Sequence, residues 1–163
     1  MELMLMRHAK SDWESGARDD HSRPLNTRGV RSAERMGEAI RELGLIPDIV
    51  ISSTATRARS TAELARIAGG WPSRLILEDG LYGASHLEAI ATAARLGGGD
   101  SRVMLVGHEP TWSQAVKHLT GARCAMRTAT CAVIEIHGPT WADVSTVTTG
   151  TLISLLQPRH FLA

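Results

Sequence analysis

Histidines and arginines occur in this chain in an arrangement that could act on a phosphoryl group. Arg7 directly precedes His8, and His108 lies in a second short segment far along the chain. A phosphate dianion is bound best by planar guanidinium groups, which Arg7 and either Arg57 or Arg59 could supply. A neutral imidazole can attack phosphorus when a hydrogen bond to its other ring nitrogen fixes the tautomer. A second imidazole can donate to the phosphoryl oxygens during transfer.

Other phosphate-handling and hydrolytic motifs are absent from the sequence. It contains no G-x-x-x-x-G-K-[ST] loop, no glycine-rich dinucleotide fingerprint after the first predicted strand and no G-x-S-x-G elbow. No arginine follows Cys124 or Cys131 at the spacing of a cysteine-dependent phosphatase loop. Zinc held by His8, His108 and a carboxylate remains an alternative, although neither histidine lies in a metal-spacing motif. The other histidines are not placed with candidate arginines at a predicted strand end, and we interpret them as surface or structural residues: His21, His86, His118, His137 and His160.

The elements that must position these side chains alternate along the chain. Apolar runs predict strands over 3–6, 48–52, 75–77 and 103–106, with a closing pair over 130–136 and 142–147. Helical periodicity predicts helices over 27–43, with Thr27 as its cap, and over 56–68, 85–96 and 110–119. This alternation predicts an α/β fold in three layers, a mainly parallel sheet with helices on both faces.

The predicted strand ends bring the candidate groups to one place. Ligands bind beyond the carboxyl ends of parallel strands, and Arg7-His8, 52–59 and 107–109 all directly follow predicted strands. This coincidence of position is the strongest physical indication of a site in the sequence.

Composition limits the class of protein. The 163 residues are 43% hydrophobic and 21% charged, which fits about one globular domain. A net charge of +1 offers no general attraction to nucleic acid or anionic membranes. No apolar run has the length of a membrane helix, and the first residues lack the layout of an export signal. We therefore expect a cytoplasmic protein without nucleic-acid or membrane partners.

Four motifs appear in the order found in a known family. These are Arg7-His8-Ala9, the R-P-L-x-x-x-G segment at 23–29, the S-x-x-x-x-R-A-x-x-T-A element at 52–62, and V-G-H-E-P at 106–110. Together they resemble the histidine phosphatase, or phosphoglycerate-mutase-like, superfamily. The chain length and the sequence R-H-A-K-S-D-W at 7–13 look most like the compact SixA-type branch, whose named activity is phosphohistidine phosphatase.

The resemblance implies roles for individual residues. His8 would become transiently phosphorylated, and Arg7, Arg57 and His108 would bind the phosphoryl group. Arg57 takes the family position because it directly precedes Ala58, so Arg59 is expected to face outward or to assist at the rim. Residues 1–163 would form one histidine phosphatase domain of phosphoglycerate-mutase-like fold. The implied covalent mechanism needs no metal and no cofactor.

The proton donor is left open by the sequence. Glu109 follows His108, where one branch of the family has an acidic donor, but it could equally serve the first turn of a helix. Larger members carry a carboxylate after the third strand, which corresponds loosely to Glu78, Asp79 or the segment 81–84. An imidazole leaves phosphorus more readily than an alkoxide does, so a phosphohistidine substrate depends less on such a donor.

The substrate class follows from the missing donor and the short chain, which has little room for a lid. We expect phosphohistidine on a partner protein, such as a histidine phosphotransfer domain. A small phosphate ester is the first alternative, and a non-catalytic phosphate-binding or phosphoprotein-binding module is the second. Lys10, Ser11 and Arg23 could line the mouth and touch a partner, but we expect each of them to be a solvated loop residue. The tryptophans are expected to pack in the core or at the rim: Trp13, Trp71, Trp112 and Trp141.

Overall fold

A computed structural model describes residues 1–162 of the chain. Six strands form one sheet: β1 (Glu2–Arg7), β2 (Ile49–Ser53), β3 (Arg74–Glu78), β4 (Arg102–Gly107), β5 (Cys131–Ile136) and β6 (Gly150–Leu156). Four α-helices connect them: α1 (Thr27–Glu42), α2 (Thr56–Gly69), α3 (His86–Leu96) and α4 (Thr111–Thr120). Short 3-10 helices occupy Asp79–Leu81, Trp141–Asp143 and Pro158–His160.

The sheet is mainly parallel, as predicted. Its strand order is β3-β2-β4-β1-β5-β6, and the contacts among β3, β2, β4 and β1 are all parallel. Strand β5 runs antiparallel to both of its neighbours. The carboxyl ends of β2, β4 and β1 therefore meet at one edge of the sheet, where the candidate groups were expected.

Alternating residues of the central strands face two separate hydrophobic cores. Leu3 and Leu5 of β1 pack into the core beneath α3 and α4, whereas Met4 and Met6 pack into the core beneath α1 and α2. Strand side chains point alternately to opposite faces, so each central strand contributes to both cores. This confirms the predicted three-layer sandwich. Within the described residues, no helix is long and apolar enough to cross a membrane.

The predicted strand over 142–147 is wrong. Trp141–Asp143 is a 3-10 helix, and the last strand is instead β6 at Gly150–Leu156. The Trp141 side chain is buried, and its indole N–H donates to the Asp100 carbonyl at 2.6 Å, so this segment is held against the body of the protein rather than against β5. The partner strand over 130–136 is confirmed, beginning one residue later at Cys131.

Some predicted element ends also shift. Asn26 rather than Thr27 caps α1, because its side chain accepts a hydrogen bond from the Gly29 N–H. Pro110 precedes α4 rather than forming its first turn, since the helix begins at Thr111. These differences of a residue or two leave the order of the elements unchanged.

The close packing of α1 on α2 depends on Gly37. A methyl group added at Gly37 would overlap the Ala65 carbonyl of α2, a backbone atom that cannot turn aside. We expect Gly37→Ala to lower the free energy of unfolding by about 1–3 kcal/mol, the usual cost of overpacking. Urea denaturation measures this change. Gly99→Ala is the matched control, because a methyl group there meets nothing within 4 Å, and equal stability losses in both variants would contradict the prediction.

Candidate active site

The ends of β1 and β4 bring the two candidate histidines together. Arg7 pairs with Gly107 in the parallel register of these strands, and the His8 N–H continues the ladder to the Gly107 carbonyl at 2.9 Å. The next residue on each chain segment is therefore a histidine. The centroids of the His8 and His108 rings lie 5.3 Å apart, a separation that allows both to contact one small ligand.

The His8 ring is held in a single tautomer by its own backbone neighbour. Its Nδ1 lies 2.7 Å from the Ala9 carbonyl, and because a carbonyl only accepts, Nδ1 must carry the proton. The Nε2 atom is then unprotonated, and its lone pair accepts a hydrogen bond from the Arg57 Nε–H at 3.3 Å. His8 therefore presents a nucleophilic nitrogen with a guanidinium beside it.

Helix α2 anchors both the His8 segment and Arg57. The buried Thr61 hydroxyl accepts a hydrogen bond from the Ala9 N–H at 2.9 Å and donates to the Arg57 carbonyl at 2.7 Å. One side chain thus links the residue after His8 to the helical turn that carries Arg57. The nucleophile and its nearest cation are fixed to the same element.

The arginines near the cleft differ in environment. The Arg57 side chain is buried, whereas Arg59 lies on the exposed face of α2 and pairs with Glu63 at 2.8 Å. Arg7 lines the cleft, and its Nη1 donates to the Met126 carbonyl at 2.9 Å. The Arg7 Nε is buried and has no partner among residues 1–162, so it is a free donor. The structure thus brings Arg7 and Arg57, but not Arg59, to His8 and His108.

His108 is oriented by Ser53, a residue that the sequence analysis gave no role. The His108 Nε2 lies 2.9 Å from the Ser53 hydroxyl at the end of β2. When that hydroxyl donates to Nε2, the proton of the neutral ring resides on Nδ1. This Nδ1 is buried without a partner among the described residues, so it is available to donate to an oxyanion. The only sequence signal for Ser53 was its place in the motif after the second strand.

Glu109 combines both interpretations that the sequence left open. Its side chain lines the cleft, and its Oε1 also accepts a hydrogen bond from the Ser113 N–H in the first turn of α4 at 2.8 Å. The contact with the helix leaves the second carboxylate oxygen without a protein donor among the described residues. Glu109 therefore lines the cleft while it also supports the first turn of α4.

Burial and neighbouring cations keep both imidazoles neutral. Loss of solvent is the main cause that lowers the pKa of His8 to about 3, and the positive charges of Arg57 and Arg7 act in the same direction. Burial, followed by the charge of Arg57, lowers the pKa of His108 to about 4. At neutral pH, His8 therefore keeps the lone pair required of a nucleophile.

The site opens as a cleft of about 500 Å³, roomy enough for a phosphorylated side chain. Lys10, Ser11 and Arg23 line it, and Ser11 and Arg23 are buried there rather than solvated as expected. Trp71, Trp112 and Trp141 are core residues, but Trp13 is 74% exposed at the rim. The Arg23 guanidinium carbon lies 3.6 Å from the Trp13 ring centroid, so the two side chains stack.

Tyr82 and Asp20 had no role of their own in the sequence analysis: Tyr82 lies in the segment 81–84 named there as a loose match to the donor position, and Asp20 lies beside the cleft rather than in its lining. Tyr82 lines the cleft and packs edge-on to His108, with 5.6 Å between ring centroids. Asp20 pairs with Arg57 at 2.9 Å, although it lies in a polar stretch with no distinguishing local pattern. Within residues 1–162, no three His, Cys, Asp or Glu side chains are grouped so that they could hold a metal ion.

This geometry places two neutral histidines and two arginines around one open cleft at the carboxyl ends of the strands of a three-layer α/β fold. The sequence profile of the histidine phosphatase superfamily (branch 1) matches residues 3–83. An uncharacterised protein of Mycobacterium tuberculosis is 39% identical over 150 residues, covering 85% of this chain and 91% of the relative. The chain belongs to the histidine phosphatase superfamily.

Solved structures place the chain in the SixA-type branch of that superfamily. A protein of Nakamurella multipartitia, provisionally named phosphohistidine phosphatase SixA, superposes with a TM-score of 0.83 at 31% identity, covering 96% of this chain and 95% of the other. The protein histidine phosphatase SixA, solved in complex with tungstate, has the same fold, with a TM-score of 0.82 at 21% identity. That superposition covers 98% of this chain and 99% of the other.

The site predicts unusually acidic titration of both histidines. In an NMR titration of the imidazole resonances, His8 and His108 should remain neutral at pH 5 and protonate near pH 3 and pH 4, respectively. The physical reason is the loss of hydration together with the adjacent guanidinium groups. A midpoint near the ordinary value of 6.5 for either ring would contradict this description of the site.

The same shifts determine how acid affects stability. Below pH 6.5, the ordinary pKa of histidine, both imidazoles become protonated in the unfolded chain but stay neutral in the folded protein. The unfolded state therefore binds more protons, and the free energy of unfolding falls as the pH decreases. A His8→Gln variant should show a shallower decline between pH 6.5 and 4.5 than the wild type in urea denaturation. Equal declines would show that His8 is not buried in its neutral form.

Proposed function

We propose that the protein is a phosphatase that removes phosphoryl groups from phosphohistidine on a partner protein through a covalent intermediate on His8. The observation that carries the proposal is the His8 ring, with its proton on Nδ1 toward the Ala9 carbonyl and its bare Nε2 in the cleft. The cleft around it supplies guanidinium and imidazole donors for phosphoryl oxygens.

In the first step, the His8 Nε2 lone pair attacks the phosphorus of the substrate. A bond forms between Nε2 and phosphorus while the bond from phosphorus to the substrate nitrogen breaks, and its electron pair stays on that nitrogen. The other nitrogen of the substrate ring carries a proton, so the ring leaves as a neutral imidazole. Negative charge on the three phosphoryl oxygens is stabilised by Arg7, Arg57 and His108. Catalysis here is mainly positioning and electrostatic stabilisation, as in phosphoryl transfer generally.

In the second step, water attacks phosphorus and the bond to His8 Nε2 breaks. The electron pair returns to Nε2, the water proton passes to a phosphoryl oxygen, and inorganic phosphate leaves as the singly charged anion. The Nδ1 hydrogen bond to Ala9 persists through both steps, so the ring returns to its starting tautomer without rotating. His8 is thereby ready for the next substrate.

Three features support a phosphohistidine on a protein as the substrate. The cleft is open, with exposed Trp13 and Lys10 at its rim, where a second protein could make contact. An imidazole leaving group needs less proton donation than an alkoxide. The structurally similar Nakamurella protein carries the name of a phosphohistidine phosphatase. A histidine phosphotransfer domain presents such a side chain and is the partner class we would test first.

A small phosphate ester is the second candidate substrate, and the position of Glu109 favours it. A carboxylate in the cleft could protonate the alkoxide that leaves an alkyl phosphate. A protein that binds phosphate without turning it over is the remaining alternative.

We further propose that residues 1–163, of which Ala163 lies outside the described residues, act as one domain in the cytoplasm without metal or cofactor.

The proposed covalent mechanism predicts that activity depends on His8. Wild-type protein should release inorganic phosphate from a phosphohistidine-bearing phosphotransfer domain and from an aryl phosphate, and His8→Ala should abolish both activities because no other side chain provides the nucleophile. Phosphate release over time measures this. Activity that survives in His8→Ala would contradict covalent catalysis. A wild type that binds vanadate but releases no phosphate would favour the binding module.

A second prediction concerns Glu109. If it acts as a proton donor, Glu109→Gln should lower alkyl phosphate hydrolysis by about 10²- to 10⁴-fold, the range for general acid catalysis, and affect phosphohistidine far less. The comparison uses kcat for both substrates. Ser113→Pro removes the N–H that Glu109 accepts from, and serves as a control for the helix-supporting contact. Alkyl phosphate turnover equal to wild type in Glu109→Gln would eliminate the donor role.

A further inference from the structure

The Asp20 carboxylate is a hydrogen-bond acceptor shared by three parts of the chain. Its Oδ1 accepts from Arg23 at 2.8 Å, and its Oδ2 accepts from Arg57 at 2.9 Å and from the Tyr82 hydroxyl at 2.8 Å. Its backbone carbonyl also accepts from the Arg57 Nη1 at 2.6 Å. Asp20 thereby joins the loop between β1 and α1, helix α2 and the turn after β3.

The orientation of Arg57 depends on Asp20. Among the described residues, the Arg57 guanidinium bonds only to His8 and Asp20: Nε donates to the His8 Nε2, and both terminal nitrogens donate to Asp20. A guanidinium is planar, so fixing its two terminal nitrogens also fixes the direction of its Nε–H. By binding the two terminal nitrogens of Arg57, Asp20 thus fixes the direction in which the Arg57 Nε–H points toward His8.

Asp20 is itself held in place from two sides. Arg23 donates to it while its other terminal nitrogen bonds to the Ser11 hydroxyl, and Arg23 is buried against the exposed ring of Trp13. Tyr82 donates to it while packing edge-on against His108. These hydrogen bonds hold the pKa of Asp20 well below its usual range, so the group is a carboxylate at neutral pH. It is an acceptor and not a proton donor.

We propose that Asp20 is a positioning residue, which holds the Nε edge of Arg57 against His8 so that both can engage one phosphoryl group. Its carboxylate oxygens bond to Arg23, Arg57 and Tyr82, and neither bonds to His8 or His108, so it acts through Arg57. The inference rests on the proposed function, because the arrangement that Asp20 maintains is the one used in transfer to His8.

The test compares substitutions at two neighbouring carboxylates. Asp20→Ala removes the carboxylate that accepts from the Arg57 Nη2 and keeps the backbone carbonyl that accepts from Nη1, whereas Asp20→Asn keeps a side-chain acceptor oxygen but removes the charge. Asp19→Ala is the matched control, because the Asp19 side chain lies on the same loop and bonds only to the Ser22 N–H among the described residues. Circular dichroism and urea denaturation establish that each variant is folded.

Asp20→Ala should lower kcat for aryl phosphate hydrolysis by about 10- to 100-fold, the scale of loss from a misplaced catalytic group. Asp20→Asn should lose less, and Asp19→Ala should stay within about twofold of wild type, as expected for a surface change without site contacts. A wild-type kcat in Asp20→Ala, or an equal loss in Asp19→Ala, would overturn the proposal.

A double-mutant cycle separates positioning from general damage to the site. In an Arg57→Ala background, adding Asp20→Ala should change kcat by no more than about twofold, because the group through which Asp20 acts is already missing. If Asp20→Ala lowers kcat by the same factor in the Arg57→Ala background as in the wild type, Asp20 does not work through Arg57.

An NMR measurement distinguishes failure of this inference from failure of the proposed function. The Arg57 Nε proton should exchange slowly with water in wild type and Asp19→Ala, and rapidly in Asp20→Ala. Slow exchange in Asp20→Ala would refute positioning whatever the enzyme turns over. If wild type hydrolyses no substrate while this pattern of exchange holds, the proposed function fails and the placement of Arg57 by Asp20 stands.

Discussion

The hydrogen bond from His8 Nδ1 to the Ala9 carbonyl is the interaction on which the rest of the site depends. It commits the only proton of the neutral ring to a backbone acceptor and leaves Nε2 as a lone pair in the cleft. Burial and the adjacent guanidinium groups reinforce this state by disfavouring protonation, which lowers the pKa of His8 to about 3. A histidine with an ordinary pKa would be partly protonated near neutrality and would then lack the lone pair.

The fold supports this hydrogen bond through strand β1 and helix α2, which are held in place by core packing. Strand β1 lies between β4 and β5 in the middle of the sheet, so His8 emerges from one of the most buried strands. Thr61 connects the Ala9 N–H to helix α2, whose packing on α1 requires Gly37. Core packing therefore determines the geometry around His8, and exposed side chains such as Trp13 lie at the rim of the cleft. Rigid elements hold reactive groups more accurately than loops do.

Local patterns in the sequence were sufficient to predict the architecture and the central residues. Apolar runs and helical periodicity are local properties, and the rule that parallel strands place ligands at their carboxyl ends then brought Arg7, His8 and His108 together. Strand β6 was missed because residues 142–147 have a similar alternation, and only the burial of Trp141 shows that this segment packs elsewhere.

The residues that orient the central groups could not be predicted from the sequence. Asp20 lies in a polar loop, and nothing local indicates that its carboxylate reaches Arg57 and Tyr82 across the fold. Ser53 is one of two adjacent serines in β2, and which of them bonds to His108 depends on the strand pleat. Such contacts join residues far apart in the chain, so they follow from the completed fold and not from any local pattern.

The most direct test of covalent catalysis is to trap the intermediate. Wild-type protein is mixed with a phosphotransfer domain labelled on its phosphohistidine, quenched rapidly in alkali, which preserves phosphohistidine, and digested for mass spectrometry. The account predicts label on His8 at Nε2 that rises and then decays as inorganic phosphate appears. Full release of phosphate at the same rate, with His8 unlabelled at every time point, would contradict it.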